Sequence, residues 1–227
     1  GENVAKRRFS PEEGLGPFFT LTFCAGCHEK PVFGGGGARY RDFFIHGQST
    51  SDGAFIPGGE RGGILSAYGL DPVSLRPTAD DEANTFALRN PIPFFGIGLL
   101  AEVSESSILE HSDPDDRDGD GISGRPNYDR GFVGRFGTKA QTVSIEGFVR
   151  GPIFNHLGIT SDPLSEERRA QLPVPSATDA DDPRLDQRMG ALSQRRFHQA
   201  AAPSEPLNDD DDIPDPELSE DALFAIV

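Results

Sequence analysis

Apolar positions in this chain fall into short separated groups, and each group predicts a small element bounded by glycine, proline or a polar cap. Ser10-Pro11-Glu12-Glu13 has the form of a capping box with proline at the first helical position, so a short helix is expected there until Gly14, Gly16 and Pro17 interrupt it. Phe18, Phe19, Leu21 and Phe23 form the next apolar group, running up to His28. Gly34 to Gly37 and most of residues 46–85 read as loop. Regular structure is expected again over Phe94 to Val103, with Ser104 capping a further helix that carries Ile108 and Leu109.

Thr138 to Leu157 shows interrupted helical spacing. Val143 and Ile145 to Val149 precede a break at Gly151-Pro152, and Ile153, Phe154 and Leu157 then lead to Gly158, a natural C-terminal stop. Residues 159–214 are mostly polar and include the run Asp209 to Asp212. Asp215-Pro216 reads as a helix start, after which Leu218, Ala222, Leu223 and Ile226 share one face of an amphipathic helix. That helix stops at Val227 without a polar cap, so its partner is expected elsewhere, on a further segment or a second polypeptide. The domain reading is one domain over 1–214, with large loop insertions and an acidic linker, and over 215–227 the start of a helix leading to a second domain or partner chain.

Composition narrows this picture. Glycine and proline, 27 and 19 of 227 residues, make about a fifth of the chain, against roughly 12% in ordinary domains, so long irregular segments should wrap modest regular structure. No apolar run approaches the ~18 residues of a membrane span. A formal net charge of −16 argues against nucleic acid and against adsorption to anionic lipid, and suits a solvated protein or one that steers a basic redox partner.

The chemistry is concentrated in Cys24-Ala25-Gly26-Cys27-His28. This C-x-x-C-H pattern is the attachment site of a c-type haem: two thiols on one turn form thioethers to the vinyl groups, and His28 supplies an axial nitrogen to the iron. A redox disulfide or half a zinc site is the competing reading of the pair. A zinc site needs four nitrogen or sulfur ligands, and these are the two cysteines of the whole chain. Covalent haem attachment takes place outside the cytoplasm, so a periplasmic or extracellular location is expected. The remaining histidines, His46, His111, His156 and His198, and the single methionine, Met189, are the candidates for the opposite axial position, with His156 first because it stands on an apolar helical stretch. A filled position would suit electron transfer, and an open one would admit peroxide or dioxygen.

A second motif is acidic. Asp116, Asp118 and Asp120 occupy positions 1, 3 and 5 of a calcium loop, Gly121 makes its turn, and the Ile122 carbonyl supplies position 7. Asn127 stands where a full EF-hand has a bidentate glutamate, so a solvated acidic turn competes with a calcium site.

Five segments taken in order resemble the di-haem thiol-oxidoreductase-like family, related to bacterial di-haem cytochrome c peroxidases and MauG-like enzymes. They are Asn90 to Leu100, Asp118 to Arg125, Gly134 to Ala140, Leu157 to Thr160 and Asp215 to Leu218. The resemblance implies two mainly α-helical, cytochrome c-like haem domains with a cation site near them. It further implies that the haem at Cys24, Cys27 and His28 is the one that meets peroxide, while a second haem relays electrons. Arg135 and Lys139 match the family's basic motif, and would neutralise haem propionates or polarise an oxidant, or simply lie at the surface. A second C-x-x-C-H is missing from this sequence, so the second haem is expected on another segment or a separate chain. The expected fold is therefore mainly α with long irregular loops, a cytochrome c-like haem domain with Gly/Pro-rich insertions. The expected function is the N-terminal part of a di-haem peroxidase-like oxidoreductase, or alternatively a non-enzymatic electron-transfer haem subunit of a larger redox complex.

Overall fold

The computed structural model describes the chain except Asp52, Glu60, Ser74, Leu75, Arg130, residues 173–204 and Asp210. Met189 and His198 therefore lie outside the described residues. Helices α1 (Glu2–Lys6), α2 (Ile97–Glu102), α3 (Glu105–Glu110), α4 (Ile145–Leu157), α5 (Glu166–Arg169) and α6 (Glu220–Ile226) alternate with short strands and three 3-10 turns. Strands β1 (Phe18–Phe19) and β4 (Tyr68–Gly69) pair, β2 (Phe43–Ser49) lies between β3 (Phe55–Pro57) and β5 (Thr85–Arg89), and β6 (Tyr128–Asp129) pairs with β7 (Phe132–Val133), all antiparallel.

This corrects the mainly α, cytochrome c-like expectation. Only 26% of the described residues are helical and 17% are strand, a weakly mixed fold with small sheets. Two physical causes account for the difference. Glycine and proline cut the chain before long helices can grow, so that α4, with 13 residues, is the longest described. Part of the stretch read as loop is sheet: Gly47 pairs with Thr85 on one side and Pro57 on the other, Gln48 with Ile56 and Ser49 with Phe55. The alternation was concealed because the outward positions Phe44, Phe86 and Leu88 are themselves apolar and more than half exposed.

The local punctuation holds at several places. Ser10 caps the 3-10 turn Pro11–Glu13 with its capping box intact, and Gly14 follows with φ 87°. Ser104 caps α3, its Oγ accepting from the Ser107 amide. Around Gly151-Pro152 the expected break is absent, and α4 runs through. Ser144 holds its start, accepting from the Gly147 amide at 3.2 Å. Its buried side carries Glu146, Arg150, Ile153 and Leu157, and this packing offsets the one hydrogen bond that Pro152 cannot donate. Near the end of the chain, α6 starts at Ser219, whose Oγ accepts from Ala222 N, and not at Asp215-Pro216.

The main core collects Phe9, Leu15, Ile153, Leu157, Ile159, Leu164, Leu218 and Leu223, with Val4, Ala222, Phe224 and Ile226 packed around it. The apolar face of α6 thus finds α1 and α4 within this chain. Beside the core lies a buried polar lattice. Arg150 donates to Ser161 Oγ at 3.1 Å, to Ser161 O at 2.7 Å and to Glu205 O at 2.6 Å. Glu146 accepts from Leu164 N at 2.8 Å and from Arg169 Nε at 3.2 Å.

Candidate functional site

Cys24 to Gly26 form a single 3-10 turn, with Cys27 closing it in an α-region conformation and His28 donating its amide to Cys24 O at 3.2 Å. Both thiols are free and partly buried on that turn. Burial, helped by the neighbouring Cys27, pushes the Cys24 thiol up to about 11, and burial also raises Cys27. The thiols are therefore protonated at neutral pH. Gly26 is required by closeness: a β-carbon there would stand 2.2 Å from Leu21 Cδ2 and inside contact distance of the Phe23 ring. The apolar group before the motif thus packs directly under the turn.

His28 lies with its ring 4.1 Å from that of Phe94, centroid to centroid. Burial lowers its pKa, partly offset by the backbone at Ile92 and Gly35, and its Nδ1 is buried without a hydrogen bond of good geometry. His156, on the last turn of α4, comes to the same place from the far end of the sequence. Burial lowers its pKa to about 4, with the charge of nearby His28 as the second cause. Its Nδ1 sits 3.2 Å from Thr20 Oγ1, Thr20 N donates to the His156 carbonyl at 2.7 Å, and Phe43 stands edge-on to the imidazole at 4.6 Å. Both imidazoles are neutral at pH 7, the state in which a ring nitrogen offers a lone pair to a metal.

A cavity of about 480 Å³ adjoins these residues, with Thr20, Asp42, Phe43, Leu65, Arg76 and Thr78 in its wall. Its wall thus includes the two residues that hold His156. Unbonded thiols on one turn, the orphaned nitrogen of His28 and a second neutral imidazole nearby form a donor set that fits a covalently attached haem.

The other expected residues are placed elsewhere. Arg135 donates to the carbonyls of Val133 at 3.1 Å and Val103 at 2.7 Å, and Lys139 is exposed. His46 is buried on the opposite face of β2 from Phe43, its Nδ1 2.9 Å from Gly63 O and its Nε2 3.5 Å from Asp80, while His111 caps the exposed end of α3. In the acidic loop, carboxylate oxygens of Asp113, Asp116 and Asp118 lie within 4.8 Å of one another. Asp120 instead accepts from the Ile122 amide at 2.8 Å, and the Ile122 side chain is exposed. Sequence reasoning passed over Asp113 as a loop ligand, and Thr20, Phe43 and Phe94 as supports. Phe94 lay within the Asn90–Leu100 segment that carried the resemblance, whereas Thr20 and Phe43 carry no motif and are found only by proximity.

No curated protein and no solved structure matches the chain. Residues 78–180 match the family model described as "Di-haem oxidoreductase, putative peroxidase", a span that contains Phe94, the acidic loop, Arg135, Lys139 and His156, whereas the C-x-x-C-H turn lies outside it. The match supports a di-haem oxidoreductase-like family for this chain.

Proposed function

We propose that the chain is a c-type haem redox protein, the N-terminal part of a di-haem peroxidase-like oxidoreductase, with its haem linked through Cys24 and Cys27 and held by His28. The observation that carries this reading is the C-x-x-C-H turn itself, with its two free thiols and the unbonded Nδ1 of His28, and a second neutral imidazole, His156, near enough for the charge of His28 to act on it. Haem c supplies one-electron exchange, and reactivity toward peroxide where a coordination position is open. The residues of this chain prepare the site for it. Burial keeps both imidazoles neutral, Phe94 and Phe43 exclude water from them, and Thr20 orients His156: with its Nδ1 proton donated to Thr20 Oγ1, Nε2 is the bare lone pair.

Were His156 to hold the haem together with His28, the electron-relay reading would be favoured, since a haem held by two histidines would exchange electrons and not take up peroxide. The second haem then belongs to another segment or a separate haem-bearing chain, because both cysteines of this sequence are consumed. A periplasmic or extracellular location follows from thioether chemistry, and calcium held by the acidic loop, with Asp113 beside Asp116 and Asp118, would quench the repulsion there.

The test is the absorption spectrum of the haem-loaded protein with added cyanide and peroxide. A low-spin ferric spectrum that becomes high-spin in His156→Ala, with cyanide affinity raised at least tenfold, supports His156 as ligand and the relay reading. A high-spin wild type that reacts rapidly with peroxide supports the peroxidase reading and removes His156 from the iron. A chain that carries no haem after denaturing electrophoresis refutes covalent attachment.

A further inference from the structure

One cation beside the C-x-x-C-H turn has no acidic partner among the described residues. Arg41 ends the 3-10 turn Arg39–Arg41, its amide bound to Ala38 O at 2.7 Å, and the chain then extends through Asp42 into β2. Two positions further on, Phe43 meets His156. The guanidinium carbon of Arg41 lies 4.9 Å from the Tyr40 ring and its Nε is buried without a hydrogen bond. The stretch leading into this turn touches the motif, since a β-carbon at Gly37 would stand 3.2 Å from Cys27 O. A buried guanidinium nitrogen without an acceptor is costly to leave unpaired, so the arrangement calls for an anion. The nearby acidic group Asp42 is already engaged, accepting from Asn90 Nδ2 at 2.6 Å.

We propose that Arg41 is an anion anchor beside the C-x-x-C-H turn, pairing its guanidinium with a propionate carboxylate of the haem linked at Cys24 and Cys27. The inference rests on the haem reading above. A planar guanidinium matches a carboxylate through two parallel N–H···O bonds, which a lysine cannot reproduce. Arg135, the candidate drawn from the basic motif, gives its guanidinium to two backbone carbonyls instead.

The test uses haem-loaded wild type, Arg41→Gln and Arg41→Lys, each checked for covalent haem by staining after denaturing electrophoresis and then titrated optically for midpoint potential between pH 5 and 8. Loss of a cation beside the haem favours the ferric form. Arg41→Gln is expected to shift the reduction equilibrium about tenfold, equal to about 59 mV toward lower potential for one electron, and to move the redox-linked ionisation to higher pH. Arg41→Lys should retain most of the wild-type potential. Because the isolated chain is used, the shift reports a haem carboxylate and not an acidic group of a partner protein. A fully loaded Arg41→Gln with unchanged potential and pH profile overturns the proposal while leaving the haem reading intact. A wild type without covalent haem overturns both. Where Arg41→Gln accumulates without haem, full loading of Arg41→Lys supports a required cation, and failure of both variants to load counts against it.

Discussion

At the scale of single residues, the site is governed by how each polar group was removed from water. His28 and His156 are kept neutral by burial, and a neutral imidazole is what a metal requires. Arg150 shows the opposite solution, a charge kept buried because Ser161 and Glu205 supply three acceptors. Replacing it with methionine strands those acceptors, so Arg150→Met is expected to lower unfolding free energy by about 3 kcal/mol in urea titration, against the near-neutral effect expected of a surface arginine. Glu217 provides a pH prediction. Burial raises its pKa although Thr160 donates to it through both its amide and its hydroxyl. A carboxyl whose folded pKa lies above its unfolded value of 4.5 binds more protons in the native state. Its contribution therefore grows as pH falls from the folded value toward 4.5. Amide exchange at Leu218, which donates to Thr160 O at 3.1 Å, corrected for intrinsic rates, should be slower at pH 5 than at pH 7, and Glu217→Gln should remove the difference.

At the scale of elements, the C-terminal end of α4 was legible, and its start and middle were not. Gly158 stops it as expected, whereas the helix begins after Ser144 and not near Thr138, and Gly151-Pro152 suggested a break that the packing of Ile153 and Leu157 overrides. Gly158 has φ 88°, and a β-carbon there would meet Arg61 Nη1 at 2.6 Å and Gly16 O at 2.7 Å. Gly158→Ala adds left-handed strain of about 1–2 kcal/mol to a backbone clash of similar size, so thermal unfolding should show a loss of about 2–4 kcal/mol. The consequence reaches the site, because Gly158 follows His156 by two positions and Arg61 holds the same helix end through Phe154 O at 3.2 Å. The missed sheet has an equally physical cause. Period-2 patterning is visible when one face is polar, and the outer face of β2 and β5 exposes Phe44, Phe86 and Leu88.

At the scale of the whole molecule, the two ends of the chain close on one core. Leu223, 1% exposed, joins Phe9, Leu15 and Leu157, and α6 packs on α1. Leu223→Ala should cost about 3 kcal/mol in equilibrium unfolding through the cavity it leaves. Exchange protection should fall at the N-terminal segment as well as around α6, and a loss confined to α6 would contradict a shared core.

The sequence by itself determined the C-x-x-C-H motif, several caps and the resemblance, because these depend on neighbours along the chain: two cysteines and a histidine within five positions, serines before helices, glycines after them. Only the tertiary structure decided which histidine stands near His28, since Thr20 and His156 meet across 136 positions. It also decided that Arg135 serves the backbone, and that the fold is weakly mixed instead of mainly α. Burial, register and the destination of a charged side chain are properties of packing, and no local pattern encodes them.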